Sequence, residues 1–353
     1  MKKNLRHQTI LKMIRDDNQL VSTKTLADNF DVSEATIRRD LLELSNSGHI
    51  QRQYGGAVSK QQQHINQDKG QIGLLLGSRI DRYTDPFYNL VLEGAERKIQ
   101  QLGYRSAYIK TFYDVRTRKQ AQELLTHFPT DGIVILGSNA DTSIQYIRAQ
   151  TPISVTVTDM LVREGLENNH DTIMFDSEGG IRAIVKHLVQ LDYKRLGFVT
   201  GQIDQRHVGF IAATEEYQLP TDKDLLRVIA PGPAGWIPQI GQQGAKELMS
   251  LDNPPDAIVC ASDRLAIGAM QWLQQSGYRI PQDIAVTGVD NIPDANFTFP
   301  TLTTVHVHKE LLGELAVERI IRRIENPDEI PLRIITPTSL VIRQSCGGHL
   351  VES

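Results

Sequence analysis

Apolar positions in this chain first recur at helical spacing and later gather into short continuous runs. Leu5, Ile10, Leu11 and Ile14 make one helical stripe. Leu26 and Phe30 make a second, behind Ser22-Thr23, and Ile37, Leu41 and Leu44 a third, behind Ser33, whose hydroxyl suits an N-cap. After Gly48 come two extended pieces around Tyr54-Gly55-Gly56, where the glycines permit the tight backbone of a hairpin. The order predicted for residues 1–58 is helix, helix, turn, helix, wing. Residues 59–70 are polar, rich in glutamine and without apolar periodicity, and are expected to be a linker.

From Gln71 strands and helices alternate. Strand-like runs lie at 71–77, 105–111, 131–137, 152–158, 171–176, 195–201, 225–230, 256–262 and 284–290. Many are continuously apolar, as in a parallel sheet covered on both faces. One helix is expected from Ser177, carrying Ile181, Ile184, Val185 and Leu188. Another is expected from Asp263, carrying Leu265, Ala266, Ala269 and Leu273. Regular alternation of this kind predicts α/β architecture, and its length favours two parallel sheets with a cleft between them. The fold class predicted is therefore α/β, an N-terminal winged helix-turn-helix followed by a two-lobed core. The lobes are expected at 71–165 plus 292–325 and at 166–291 plus 326–345, with a tail at 346–353. Ligands in open α/β sheets sit beyond the carboxyl ends of the strands, so the loops there are the candidate site.

Composition narrows the class. Of 353 residues, 40% are hydrophobic and 23% charged, which suits a globular chain with a real core. No apolar run is long enough for a membrane span, and the basic start MKKNLRHQTI lacks an apolar stretch behind it, so a cytoplasmic protein is expected. Cys260 and Cys346 are expected to be inert packing thiols, and neither has metal-ligand spacing with a histidine. The net charge of −4 hides an asymmetry: residues 1–60 carry ten Lys/Arg against seven Asp/Glu, so the acidity lies in the rest. A mildly basic head on an acidic body fits a DNA reader joined to a sensor of something else. Thr36, Arg38 and Arg39 fall off the third apolar stripe near its helix start, where a groove-bound helix would present them to bases and phosphates. The plainer alternative is a set of solvated charges.

The run LADNFDVSEATIRRDLLEL followed by GHIQRQYGGAV resembles the DNA-binding domain of the DeoR family of repressors, over residues 1–58. The resemblance implies that Ser33, Thr36, Arg38 and Arg39 face DNA, with Ser22 and Thr23 at the start of the preceding helix. It also implies that Arg52, Tyr54, Gly55 and Gly56 build the wing. Residues 71 to about 345 resemble the effector-binding core of the LacI/GalR repressors, which share the periplasmic-binding-protein fold. The stretches that carry this are QIGLLLGSRIDRYTDPFYNLVLEGAERKIQQLGY, DGIVILGS, AIVKHLVQLDYKRLGFVTG, QRHVGF, PDAIVCASDRLAIGAMQWLQQSGYRIPQDIAVTGVDN and FPTLTTVHVHKELLGELAVERII.

This second resemblance implies a small-molecule effector in the interlobe cleft. Arg206 in QRHVGF stands where the family grips its ligand, Asp290 where an aspartate takes hydroxyls, and Trp236 where an aromatic packs on the ligand. Ser262 stands where Asn is frequent. Ser78, Arg79, Phe87, Ser138 and Asp159 follow strands. A carboxylate, a five-donor guanidinium and an aromatic platform together suit a polyol. Alternatives remain for each: Arg206 and Asp290 pairing with one another, Trp236 packing at a helix start, Arg79 and Asp159 in surface ion pairs, and Asp263 capping the helix it begins. His306 and His308 alternate on an expected strand and should face opposite sides.

The two resemblances together imply a ligand-responsive repressor of carbohydrate-metabolism genes. Its expected partners are operator DNA, a second copy in a homodimer, and a sugar, sugar phosphate or sugar acid; no cofactor is expected. The chain departs from both families. No helix of the kind LacI/GalR proteins place between head and core is legible in 59–70, and DeoR proteins usually carry a different body. An enzyme on the same scaffold is the weaker alternative, since HExxH, GxSxG, GxxxxGK[ST] and GxGxxG motifs are absent. A solute-binding protein is weaker still, given the head and the expected lack of a leader.

Overall fold

The structure is a computed structural model that describes residues 3–16, 21–47, 50–53, 56–59, 69–77, 85–137, 142–151, 153–157, 170–231 and 235–348. They form two units, one holding the chain up to Gly70 and the other nearly everything after it. In the first, helix α1 (Lys3–Asp16) is followed by β1 (Val21–Ser22), α2 (Thr23–Phe30), α3 (Glu34–Asn46), β2 (Ile50–Gln53) and β3 (Gly56–Ser59). The apolar stripes meet as expected: Ile10, Ile14, Leu26, Ile37, Leu41 and Leu44 are buried in one cluster with Val21, Ile50 and Ala57. Leu11 and Phe30 pack on its rim, half-buried. The side chain of Leu5 lies outside the description.

The wing is a hairpin in which Gln53 pairs with Gly56; Tyr54 and Gly55, between them in sequence, lie outside the described residues. Strand β1 is too short to leave a periodic trace. It pairs antiparallel with β3, Val21 opposite Ala57 and Ser22 opposite Gly56, and completes a sheet in the order β1-β3-β2. This pairing corrects the reason given for Gly56. A Cβ there would stand 2.2 Å from the Val21 carbonyl oxygen, so this glycine permits the close approach of two strands. Gly56→Ala should cost the head about 1–3 kcal/mol through overpacking. Hydrogen exchange on the full chain should show lost amide protection across residues 21–59 and none lost in the core. Unchanged protection would mean the contact is slack.

The second unit contains two six-stranded sheets. The chain runs β4 (Gln71–Leu76), α4 (Pro86–Gln101), β5 (Arg105–Thr111), α5 (Arg118–His127), β6 (Gly132–Leu136), α6 (Thr142–Gln150), β7 (Ser154–Val157) and β8 (Asp171–Phe175). It continues through α7 (Ser177–Gln190), β9 (Leu196–Thr200), α8 (Gln205–Glu216), β10 (Leu226–Val228), α9 (Pro238–Met249), β11 (Ala257–Cys260), α10 (Asp263–Gln275) and β12 (Ala285–Asp290). It closes with β13 (Thr303–His306), α11 (Lys309–Glu325), β14 (Arg333–Thr336) and β15 (Ser339–Val341). The sheet orders are β14-β8-β7-β6-β4-β5 and β10-β9-β11-β12-β13-β15. The pairings β14-β8-β7-β6-β4 and β10-β9-β11-β12-β13 are parallel, and β15 runs antiparallel to β13 at one edge.

The nine expected strands all form, and β13, β14 and β15 join them. The lobes exchange chain at other points than expected. Strand β8 pairs with β7 and β14, so residues 171–175 and 333–336 belong to the first lobe. Strand β13 pairs with β12, so residues 303–306 belong to the second. The crossings therefore fall near 176, 307–308 and 337–338. Hydrogen-bonding partners decide which sheet a strand joins, and an apolar run is compatible with either.

Helices α7 and α10 bury the residues their periodicity named. Helices α9 and α10 cross at glycines: a Cβ at Gly241 would meet the Leu265 carbonyl oxygen at 1.8 Å, and one at Gly268 the Pro238 carbonyl oxygen at 1.8 Å. That contact holds the start of α9, just after Trp236, against the start of α10, just after Ser262. No helix among the described residues is long and apolar enough to cross a membrane.

Candidate functional site

On the head, Ser33 caps α3, accepting from the Thr36 amide at 3.2 Å, with the two hydroxyl oxygens 2.9 Å apart. Ser22 caps α2 by accepting from the Thr25 amide at 3.0 Å. Arg38 and Arg39 are exposed on the first turns of α3, and Arg38 pairs one turn back with Glu34 at 3.0 Å. Such an exposed pair contributes little to stability and can open toward phosphate. Thr36 is half-buried. The structure thus brings Ser33, Thr36, Arg38 and Arg39 together on one helix start. Thr23 is a correction: its side chain is buried in the head, where no groove could reach it. Arg52 pairs with Ala57 through the backbone of β2, and its side chain is outside the description.

One residue of α3 escaped sequence reasoning. Asp40 lies on the buried face with Ile37, Leu41 and Leu44. It accepts from Arg6 Nε at 2.6 Å and Nη2 at 3.2 Å, and it contacts His7 Nε2 at 3.0 Å. Burial alone would raise this carboxyl, but the hydrogen bonds from Arg6 and His7 hold it below its ordinary value. The signal was present: a carboxylate at the helical spacing of an apolar stripe requires a buried cation.

In the core, the candidate effector residues lie at carboxyl ends of strands. Asp204 caps α8, and its carboxylate takes Arg206 through the Arg206 backbone amide at 2.9 Å, Nε at 3.1 Å and Nη2. Arg206 Nη1 donates to the Ala261 carbonyl at 3.2 Å, and the guanidinium carbon lies 4.3 Å from the centre of the Trp236 ring. Burial would raise Asp204, and Arg206 holds it below its ordinary value. Arg206 therefore pairs with Asp204, two residues away, and makes no ion pair with Asp290 among those described. Trp236 is half-buried and stacks on that pair. Ser262 is the N-cap of α10 and accepts from the Leu265 amide at 3.4 Å, so its hydroxyl serves the helix first.

Asp263 does not cap its helix. It is fully buried, and its carboxylate accepts from the Ile292 amide at 2.9 Å and from the Thr304 hydroxyl. It thereby ties α10 to the loop after β12 and to β13. Asp290 ends β12 with φ at 116°, and Asn291 follows with φ at 52°, both in the left-handed region that L side chains resist. Lys309, at the start of α11 and buried, steadies this turn: its Nζ donates to the carbonyls of Asp290 at 2.6 Å, Asn291 at 3.2 Å and Val307 at 3.0 Å. The Asp290 carboxylate is buried and accepts no hydrogen bond among the described residues. Burial, then the nearby Asp263 charge, raises it well above the usual range, against the pull of Arg206 and Lys309.

Burial likewise pushes the Asp263 carboxyl up to about 7. A carboxyl raised in the folded state favours folding when protonated and loses that contribution as pH rises from its unfolded value, about 4, toward 7. Asp263→Asn should flatten the fall in core stability between pH 4 and pH 7 relative to wild type, followed by urea unfolding at several pH values. Parallel curves for the two proteins would contradict the assignment.

The first lobe meets this site through Asp85. Its carboxylate accepts from the Tyr88 amide at 3.1 Å at the start of α4, and from Arg264 Nη1 of the second lobe at 3.3 Å. Phe87 stands on the same turn, with its ring 5.9 Å from that of Phe175. Ser78, Arg79, Ser138 and Asp159 lie outside the described residues. His306 and His308 do not face opposite sides. The strand stops at His306, and the turn into α11 brings the two rings edge to face, with His306 Nε2 3.2 Å from His308 Nδ1. The cysteines are both free and buried, and burial raises the Cys260 thiol.

The described residues thus form a three-helix winged head and a two-lobed α/β core in which a buried carboxylate, Asp290, ends β12. Residues 6–63 match the DeoR-like helix-turn-helix domain, and residues 185–346 match the periplasmic binding protein-like domain. The chain is 28% identical over 278 residues to the HTH-type transcriptional repressor PurR of Mannheimia succiniciproducens, covering 76% of this chain and 80% of that one. It is 29% identical over 284 residues to the ribose operon repressor of Haemophilus influenzae, covering 76% and 80%. It is 26% identical over 356 residues to the HTH-type transcriptional repressor MelR of Bacillus subtilis, covering 93% and 98%. Among solved structures, a putative transcriptional regulator LacI from Bacillus cereus subsp. cytotoxis superposes with a TM-score of 0.70 at 24% identity, covering 79% of this chain and 99% of that one. The transcriptional regulator CelR in complex with cellobiose superposes with a TM-score of 0.69 at 22% identity, covering 89% and 91%. The chain therefore resembles transcriptional repressors over most of its length, with a DeoR-like helix-turn-helix domain in its head and a periplasmic binding protein-like domain in its core.

Proposed function

We propose that the chain represses carbohydrate-metabolism genes, binding operator DNA through α3 and the wing as a homodimer, and that a sugar in the interlobe cleft sets its affinity for the operator. The observation that carries this reading is the Asp290 carboxylate, buried at the end of β12 without a hydrogen-bond partner among the described residues. It stands near the Arg206–Asp204 pair on which Trp236 is stacked. Vicinal hydroxyls would supply the missing donors, and the indole would cover the apolar face of a sugar ring. Arg206 already has both edges committed to Asp204 and Ala261, so among the described residues of this site no guanidinium is left over for a phosphate or acid group. That favours a neutral sugar. Arg264 would report closure, since it bonds to Asp85 only when the lobes meet.

The relative named for ribose and the solved complex with cellobiose support a carbohydrate in the cleft. The reading makes the chain a cytoplasmic binding protein without catalytic chemistry. Thermal unfolding of the full chain against neutral sugars, sugar phosphates, sugar acids and nucleosides tests it, because a ligand bound only to the native form raises the midpoint with occupancy. A neutral sugar should raise the midpoint in wild type and not in Asp290→Ala. A panel without response, or a response that survives this variant, would remove the cleft assignment.

A further inference from the structure

We propose that the first lobe carries a second ligand site, separate from the cleft, that takes a phosphate dianion between Arg148 and Arg323. It lies at the amino ends of β7 and β8, whereas the cleft lies at the carboxyl ends. Asp171, the fully buried first residue of β8, accepts from Arg319 Nε, from Arg323 Nη1 at 2.9 Å and from the Leu332 amide at 2.8 Å. Arg319 and Arg322 both reach Glu329, at 3.1 and 2.8 Å. Arg148, on the last turn of α6, is only 6% exposed and meets no carboxylate among the described residues. Its one hydrogen bond there runs from Nη2 to Thr156 Oγ1 at 3.1 Å. The Nε atoms of Arg148 and of Arg323 are buried without a partner. Among the described residues four guanidiniums thus stand against two carboxylates, an excess of two positive charges, with Arg322 the one guanidinium of the four that is mostly in solvent.

The carbonyl end of α6 offsets part of the Arg148 charge, since a helix end carries roughly half an elementary charge. Among the described residues the remainder is a buried cation without a counter-ion, which proteins rarely tolerate. Ser154 and Thr156 alternate onto the face of β7 that meets Arg148. Ser154 Oγ lies 2.8 Å from Nδ1 of His170, which is half-buried. Whichever of the two donates to the other, the pair keeps one further donor for a ligand. Burial, then the charges of Arg148 and Arg323, lowers the basicity of His170, placing both guanidiniums within electrostatic reach of one imidazole. A phosphate group carries about −1.5 to −2 at neutral pH and accepts from guanidinium forks, so it matches both the excess charge and the donor set.

The test is thermal unfolding of the full chain at pH 7.5 in inorganic phosphate, in glucose 6-phosphate, and in chloride at matched ionic strength. Each condition is repeated in Asp290→Ala, so that any response from the cleft drops out. Phosphate should raise the midpoint by several degrees over chloride in both backgrounds. Arg148→Met should abolish the response and, without phosphate, be at least as stable as wild type, because the unpaired cation is gone. Ser154→Ala should weaken phosphate binding about fivefold to tenfold. A response to inorganic phosphate identifies the free anion as sufficient, and a response to glucose 6-phosphate alone identifies a phosphomonoester. Equal midpoints in all three solutions, or a response that survives Arg148→Met, would overturn the proposal. If Arg148→Met does not fold, the Ser154→Ala titration decides, and unchanged affinity there overturns it.

Discussion

Replacing Asp40 by alanine should unfold the head and abolish operator binding while the core stays folded and still binds effector. Asp40 never faces DNA. Its carboxylate is 3% exposed and carries Arg6, 10% exposed, and His7 on its two oxygens. Removing it leaves a guanidinium buried between α1 and α3 without a counter-charge, a loss of about 3–5 kcal/mol. A unit of this size has little more than that in total. Hydrogen exchange on the full-length variant should show the amides of residues 3–59 unprotected and those of residues 171–348 unchanged. The same pair sets a pH limit on the head. Because Asp40 is held below its ordinary value in the fold, its contribution is complete at neutral pH and is lost as pH falls through the carboxylate range. Operator binding retained in Asp40→Ala would show that the head does not depend on this clamp.

Arg206→Ala should have the second largest effect, on the core, and it has two separable parts. The buried Asp204 loses its partner, which costs about 3–5 kcal/mol and lowers the midpoint of a lobe this size by roughly 10 °C. Trp236 also loses the cation beneath it, and the effector platform loses its shape. The double variant Asp204→Asn/Arg206→Met removes both charges together, so most of the stability should return while effector binding does not. A double variant that still bound effector would mean that the pair only holds the fold. A single variant as stable as wild type would mean that the pair is not closed in solution.

Much of this was legible in the sequence, for identifiable reasons. Helix α3 and its cap were readable because Ser33, Ile37, Leu41 and Leu44 are local signals at helical spacing. The nine strands were readable because buried parallel strands are continuously apolar. Strand β1 was not, since two residues carry no period and its pairing with β3 is long-range. The lobe crossings were hidden for the same reason: β8 and β13 are sorted by partners that periodicity does not name. Arg206, Trp236, Ser262 and Asp290 could be named as candidates, but the partner of Arg206 could not. Asp290 looked like the obvious carboxylate, whereas Asp204, the cap of α8, lies nearer and takes the charge. Lys309 and Asp263 gained their roles only from the turn at Asp290 and Asn291, where two residues with left-handed backbone need holding. Thr23 read as an exposed helix start, yet the pairing of β1 with β3 buries it.

The central claim is that a ligand in the core changes how the head binds DNA. The direct measurement is fluorescence anisotropy of the full chain on an operator selected from random duplexes, with and without a sugar that raises the wild-type midpoint. A coupling of about 1–3 kcal/mol, the usual range, would change the operator Kd by about 5- to 150-fold. The account predicts a change of that size in wild type and none in Asp290→Ala, at one fixed salt concentration because DNA affinity depends steeply on salt. An unchanged operator Kd while the sugar is demonstrably bound would contradict it.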